Sequence, residues 1–130
     1  MNPTLGRVLI ADDEPSLLKM MSAYLRRLGY AVSAVHTPAE ACAELESDPS
    51  GFVCAVVDAT MAGMPMDEMA RKMLSASAAL RLLVASGFPV DVSALESEAP
   101  GRVAFLHKPF TPEMLAGAVR RLLESKEQSV

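Results

Sequence analysis

The sequence predicts one α/β domain, a doubly wound five-stranded parallel sheet in the order 2-1-3-4-5 with helices on both faces. Three observations predict it. Short apolar runs alternate five times with segments whose apolar side chains recur at helical spacing. The runs are continuous rather than alternating apolar and polar, as strands covered on both faces require. No repeat or long linker interrupts the 130 residues, a length suited to one core.

The first strand is Arg7 to Ala11 (RVLIA), and it ends on Asp12, Asp13 and Glu14. Pro15 suits a first helical turn, Leu17, Leu18, Met21, Leu25 and Leu28 form an inward stripe, and Gly29 marks the stop. Tyr30 to Val35 is the second strand. Thr37-Pro38-Ala39-Glu40 reads as a capping box that opens a second helix through Ala41 and Leu45, up to the turn at Asp48-Pro49-Ser50-Gly51. The third strand, Phe52 to Asp58, is an apolar run that stops on one carboxylate. A loop with Gly63 and Pro65 leads to a third helix with Met66, Met69, Ala70 and Met73 on one face. Leu80 to Ala85 is the fourth strand, ending on Ser86-Gly87. Between Pro89 and Glu98 the apolar stripe is poor, so the helix there is short or mobile, with Asp91 as its cap. Arg102 to Lys108 is the fifth strand, stopped by Pro109. Thr111-Pro112 opens the last helix, with Met114, Leu115, Ala118, Val119 and Leu122 facing inward. The polar tail SKEQSV frays, leaving a core of about residues 7–124 in a domain spanning 1–130.

Right-handed crossovers with helices on both faces require the winding to reverse once. The flavodoxin-like order reverses between strands 1 and 3, which makes those strands neighbours.

Composition narrows the function. The hydrophobic fraction of 51 % against 22 % charged is that of a soluble globular chain. A net charge of −4, with no stripe of clustered Lys and Arg, argues against direct binding to nucleic acid. The pairs Arg26–Arg27 and Arg120–Arg121 sit where they complement helix ends. No run reaches the roughly 20 apolar residues of a membrane span, and the N-terminus lacks a signal-peptide pattern. Cys42 and Cys54 fall in core patterns rather than in a disulfide or metal pair, which makes a reducing cytoplasm the default compartment.

The topology brings the strand ends together. Asp12, Asp13 and Asp58 converge at one sheet edge, to which the fourth strand delivers Ser86 and the fifth Lys108. Three carboxylates in one pocket repel each other and raise each other's pKa unless a cation joins them. Oxygen ligands without His or Cys favour a hard cation, and few carboxylates with room for water suit Mg²⁺. A lysine and a hydroxyl opposite the metal shape the site for a phosphoryl group, with Asp58 as nucleophile. Each residue alone has a plainer reading: the acid pair as helix cap, Asp58 as a turn residue, Ser86-Gly87 as a loop, Lys108 as a solvated strand end. Their joint placement favours the site.

In these residues the chain resembles the receiver domain of two-component response regulators, along essentially its whole length. The resemblance is carried by IADDEP, VVDATM, SG after the fourth strand and HKPF after the fifth. It implies that Asp58 accepts a phosphoryl group from a phosphohistidine on a histidine kinase or phosphotransfer protein. It implies Mg²⁺ on Asp12, Asp13, Asp58 and the backbone carbonyl of Thr60. Ser86 and Lys108 would contact the phosphate, Phe105 would be the aromatic switch, and the Lys108–Pro109 peptide would be cis. Such a domain is a switch at the face of the fourth and fifth strands. It catalyses only its own phosphorylation and slow hydrolysis. Thr60 and Phe88 match positions that tune phosphoryl lifetime in the family.

The chain departs from the pattern after Asp58. The family's Met-Pro is Met61-Ala62 here, with proline delayed to Pro65, and Met66 stands where glycine is common. The cluster Met61, Met64, Met66 and Met69 suits core packing or a partner surface. Two other classes compete: a pseudo-receiver that binds without phosphorylation, and an aspartyl-phosphate phosphohydrolase. The hydrolase needs an acid two residues beyond Asp58, where Thr60 stands. His36 and His107 lack any acid or metal-ligand pattern, so the donor histidine belongs to another protein or domain. The kinase, the downstream partner, and whether the domain stands alone or comes from a hybrid kinase are not legible.

Overall fold

The structure is a computed structural model and describes residues 5–124; the SKEQSV tail expected to fray lies outside the described residues. The elements run β1 (Arg7–Ala11), α1 (Pro15–Arg27), β2 (Ala31–Val35), α2 (Pro38–Ser47), β3 (Cys54–Asp58), α3 (Met66–Ala76), β4 (Arg81–Ser86), α4 (Ser93–Glu98), β5 (Val103–His107) and α5 (Pro112–Glu124). The five strands form one parallel sheet in the order β2-β1-β3-β4-β5, as the sequence predicts.

Side-chain parity divides the core into two layers. Val8 and Ile10 of β1, with Cys54 and Val56 of β3, pack against Leu18, Met21 and Leu25 of α1 and Leu115 and Val119 of α5. Leu9 and Ala11, with Ala55 and Val57, pack against Ala41 and Leu45 of α2, Met69 and Met73 of α3, and Leu95 of α4. Helices α1 and α5 therefore cover one face, and α2, α3 and α4 the other. The central strands β1, β3 and β4 are buried on both sides, which is why they read as apolar runs, whereas the edge strands β2 and β5 are only partly buried.

Local signals hold at most element ends. Gly29, just past α1, has φ 110°, a left-handed conformation that glycine adopts without steric cost. Thr37 Oγ1 accepts from the Glu40 N–H at 3.1 Å, while Glu40 Oε1 reaches one residue further back, to the His36 N–H at 2.8 Å. The capping box is thus displaced by one residue on its return arm.

Several expectations need correction. Leu28 and Met114 are exposed, at 43 % and 49 %, because α1 ends at Arg27 and Met114 sits in the first turn of α5, outside its buried stripe. Asp91 does not cap α4. The N-cap is Val92, and Asp91 Oδ1 instead accepts from Ser93 N–H and Oγ–H, an Asx turn one residue early. The third and fifth strands are shorter than their apolar runs, beginning at Cys54 and Val103. α4 is short, as its weak stripe predicts, and buries only Leu95.

Arg102 lies just before β5 rather than in it. Its guanidinium donates to the carbonyls of Leu80, Leu74 and Ser77 at 2.9, 3.3 and 2.5 Å, so it closes the C-terminal end of α3. Cys42 and Cys54 are buried free thiols in opposite core layers, as core residues rather than a pair. Burial pushes the Cys54 thiol up to about 12. Among the described residues, no helix is long and apolar enough to cross a membrane.

Candidate functional site

The carboxyl ends of β1 and β3 are adjacent because those strands pair, and each hands a carboxylate to the sheet edge. Asp12, Asp13 and Asp58 place carboxylate oxygens within 4.8 Å of one another. Asp12 and Asp58 are 1 % and 4 % exposed, whereas Asp13 faces solvent. Asp12 accepts at both oxygens, from the Glu14 N–H at 2.9 Å and from Lys108 Nζ at 3.0 Å. Lys108 Nζ stands 3.6 Å from Asp58 Oδ2. Asp58 Oδ1 accepts twice from Thr60, from N–H at 3.0 Å and from Oγ1–H at 2.9 Å.

The Lys108 backbone N–H donates to the Ser86 carbonyl at 2.8 Å, which holds the end of β5 beside β4, and the Lys108–Pro109 peptide is cis, as the resemblance implies. The Asp12 carboxyl is held above its usual range, chiefly by burial; Glu14 and Lys108 oppose the shift, and Asp58 adds the smallest contribution. Mutual repulsion, the cause expected from the sequence, is therefore secondary here.

Parity sorts the remaining residues. Asp58 falls in phase with Val56, on the α1/α5 side. Ser86 falls in phase with Val84, on the α3/α4 side, the side that also holds Phe105. Ser86 is fully buried and its Oγ accepts from the Phe88 N–H at 3.0 Å. Phe105 is half-buried beside Val84 and meets the His107 ring edge-on at 6.3 Å. So Asp12, Asp13, Asp58 and Lys108 form one tight group, and Ser86 with Phe105 lines the neighbouring face.

The loop after Asp58 is anchored by Met61, which is 6 % exposed and part of the α2/α3 core layer; Met64 and Met66 pack partly buried against the same layer. The methionine cluster is core packing. Gly63, at φ 111°, supplies the turn that Ala62 in place of proline does not. Sequence reasoning named Thr60 for its carbonyl and as a position that tunes phosphoryl lifetime, but missed its bonds to Asp58 and the Glu14 N–H bond to Asp12. The signal was available for the first, since a hydroxyl residue two positions after Asp commonly folds back onto its carboxylate.

All ligand atoms in the cluster are oxygens, with no His or Cys among them, and one lysine leaves the three carboxylates under-neutralised. That donor set fits a hard divalent cation such as Mg²⁺.

The family model of the response regulator receiver domain matches residues 8–120. The chain belongs to the response regulator receiver family. Receiver domains are signalling domains of two-component systems rather than classical enzymes, and they generally bind Mg²⁺ at an acidic pocket. This receiver is 26 % identical over 117 residues to the response regulator receiver protein CpdR of Brucella abortus, covering 90 % of this chain and 96 % of CpdR. It is 26 % identical over 125 residues to the transcriptional regulatory protein FixJ of Bradyrhizobium diazoefficiens, covering 95 % of this chain but 60 % of FixJ. Its fold matches a CheY-like receiver from Methanospirillum hungatei JF-1 with TM-score 0.83 at 24 % identity, over 98 % of this chain and 100 % of that one. It also matches the chemotaxis response regulator CheY4 of Vibrio cholerae with TM-score 0.77 at 28 % identity, over 92 % and 99 % of the two chains.

Proposed function

We propose that this receiver, as one domain across the chain, accepts a phosphoryl group on Asp58 from the phosphohistidine of a histidine kinase or phosphotransfer protein. The observation that carries the proposal is the buried Asp58 carboxylate, 3.6 Å from Lys108 and inside a cluster of three acids. In the transfer a bond forms between an Asp58 oxygen and phosphorus, the phosphorus–nitrogen bond of the donor breaks, and the imidazole leaves with the electron pair.

Lys108 holds a fixed positive charge where phosphoryl oxygens gather. Asp12, Asp13, Asp58 and the Thr60 carbonyl would hold Mg²⁺, which when bound supplies charge neutralisation for the transferring group. Beside Lys108, α1 and the loop after β5 frame a cleft of about 640 Å³, with Leu17, Met20, Pro109 and Phe110 on its walls. That cleft leaves room for the donor to approach from outside the sheet edge.

Ser86 lies on the opposite parity from Asp58, and its Oγ accepts from the Phe88 N–H while its own proton stays free to donate, so engaging the phosphate calls for the side chain to turn toward Asp58. The space it vacates is on the face where Phe105 sits half-buried, and Phe105 moves inward there. The readout is then the surface of β4, α4 and β5.

Beryllofluoride, a phosphoryl mimic, tests this with Mg²⁺ and ¹⁵N-labelled protein. Amide shifts are expected at Asp58, Ser86 to Phe88 and Phe105 to Lys108, all absent in Asp58→Asn. A silent spectrum in the parent would replace this proposal with a pseudo-receiver that binds without phosphorylation.

A further inference from the structure

We propose that the Arg71–Glu98 ion pair is a latch that holds α4 against α3 in the resting protein and opens when the switch face rearranges. Its strength then sets how much phosphoryl signal that face needs. This rests on Asp58 being the acceptor and on β4, α4 and β5 being the readout, and it adds the contact that opposes the change.

α3 is a fixed wall. It buries Met69, Ala70, Met73 and Leu74, and Arg102 holds carbonyls at its C-terminal end. α4 is six residues long, buries Leu95 alone and has no side-chain cap at its N-terminus. An isolated helix of that length is not stable in water. Its last residue, Glu98, adds a negative charge at the end where the helix dipole is already negative.

Arg71 answers that charge from α3. Its Nε donates to Glu98 Oε1 at 3.0 Å and its Nη2 to Oε2 at 3.1 Å, a two-pronged match of guanidinium to carboxylate. Nη1 donates to Asp67 Oδ2 at 3.3 Å, one turn back on α3, so the guanidinium is braced from its own helix. Beside the pair lies a cleft of about 250 Å³, with Leu74, Ser75, Ala99 and Arg102 on its walls. Packing between the two helices is incomplete there, and the pair bridges it.

Leu95 couples α4 to the switch. It belongs to the core layer that holds Val84 and against which Phe105 is half-buried. A close-packed layer does not take in a ring without moving a neighbour. When Phe105 turns inward, the least-held neighbour is α4, and its displacement draws Glu98 off Arg71. Both side chains are half-exposed, so the separated charges are met by water and the pair adds little to the stability of the fold. A small bias is enough to set the dose of a two-state switch.

The test titrates ¹⁵N-labelled protein with beryllofluoride at fixed Mg²⁺, following the Ser86 and Gly87 amides. Arg71→Met keeps most of the stem and loses the charge, and Glu98→Gln keeps the shape; neither residue belongs to the acid cluster. Each is expected to lower the half-saturating concentration about threefold, and the double variant to match the single ones within about 1.5-fold. Without beryllofluoride, the Glu96 and Ala99 N–H groups, which bond the Val92 and Leu95 carbonyls, should exchange about threefold faster in both variants, with Met69 and Met73 of α3 unchanged. Half-saturation equal to or above the parent's overturns the proposal, as do single effects that multiply in the double variant, or α4 exchange equal to the parent's. A parent that does not respond to beryllofluoride overturns the acceptor reading beneath it, a distinct result.

Discussion

Replacing Lys108 by methionine removes a charge and keeps most of the stem. In metal-free protein the change strands two carboxylates, since Lys108 lies 3.0 Å from Asp12 and 3.6 Å from Asp58, which are 1 % and 4 % exposed. Removing one partner of a buried pair costs roughly 3–5 kcal/mol. The lower end applies here, because exposed Asp13 and the 19 % exposed Lys108 side chain show that water reaches the rim. We therefore expect a loss of about 3 kcal/mol in EDTA, which at a urea slope of about 1.5 kcal/mol/M lowers the unfolding midpoint by about 2 M. Adding Mg²⁺ should narrow the gap, because a cation bound by the folded state alone stabilises it and replaces the missing ammonium. A midpoint within about 0.5 M of the parent in EDTA would refute the reasoning, because it would mean Lys108 is not what makes this acid cluster tolerable.

Three further outcomes follow from the same geometry. Burial lifts Asp12 above the ordinary 3.8, so the folded state binds its proton more tightly than the unfolded chain; that contribution to stability is complete below pH 3.8 and is lost as pH rises through the raised value. Metal-free Asp12→Asn should accordingly lose less urea resistance than the parent between about pH 4 and neutrality, and an equal or larger loss contradicts this. Arg102→Ala leaves the Leu74, Ser77 and Leu80 carbonyls without that donor and should cost about 3 kcal/mol in urea unfolding, with Arg102→Lys restoring less than half; a loss under about 1 kcal/mol would remove Arg102 from the account of α3. The Cys54 thiol, fully buried and pushed up to about 12, should be silent to a thiol reagent in native protein and react once denaturant is added. Native labelling at Cys54 would show that β3 opens locally.

The sheet was legible because its central strands are covered on both faces, so that VLIA of β1 and CAVV of β3 carry no polar residue until the site begins. Once strand order was set, the meeting of Asp12, Asp13, Asp58 and Lys108 followed from chain connectivity alone. Cap chemistry was legible where a side chain bonds its own backbone, as at Thr37, and failed at Asp91, where an Asx turn competes with the cap using the same atoms. Helical spacing also put Leu28 and Met114 in the core, because periodicity cannot say where a helix starts or stops covering its neighbour.

Distances within the site were beyond the sequence. That Lys108 donates to Asp12 and stands off from Asp58, and that Thr60 turns its hydroxyl onto Asp58, depend on rotamers set by packing. The separation of Ser86 from Asp58 is different in kind. It follows from strand parity, and counting residues back from each strand end would have revealed it.

The central claim is that Asp58 is the phosphoacceptor. Intact mass after incubation with Mg²⁺ and acetyl phosphate tests it most directly. One phosphate-sized adduct per chain, lost in Asp58→Asn and lost from the parent when EDTA replaces Mg²⁺, is the predicted result. An adduct that persists in Asp58→Asn, or no adduct in folded parent protein, would contradict it.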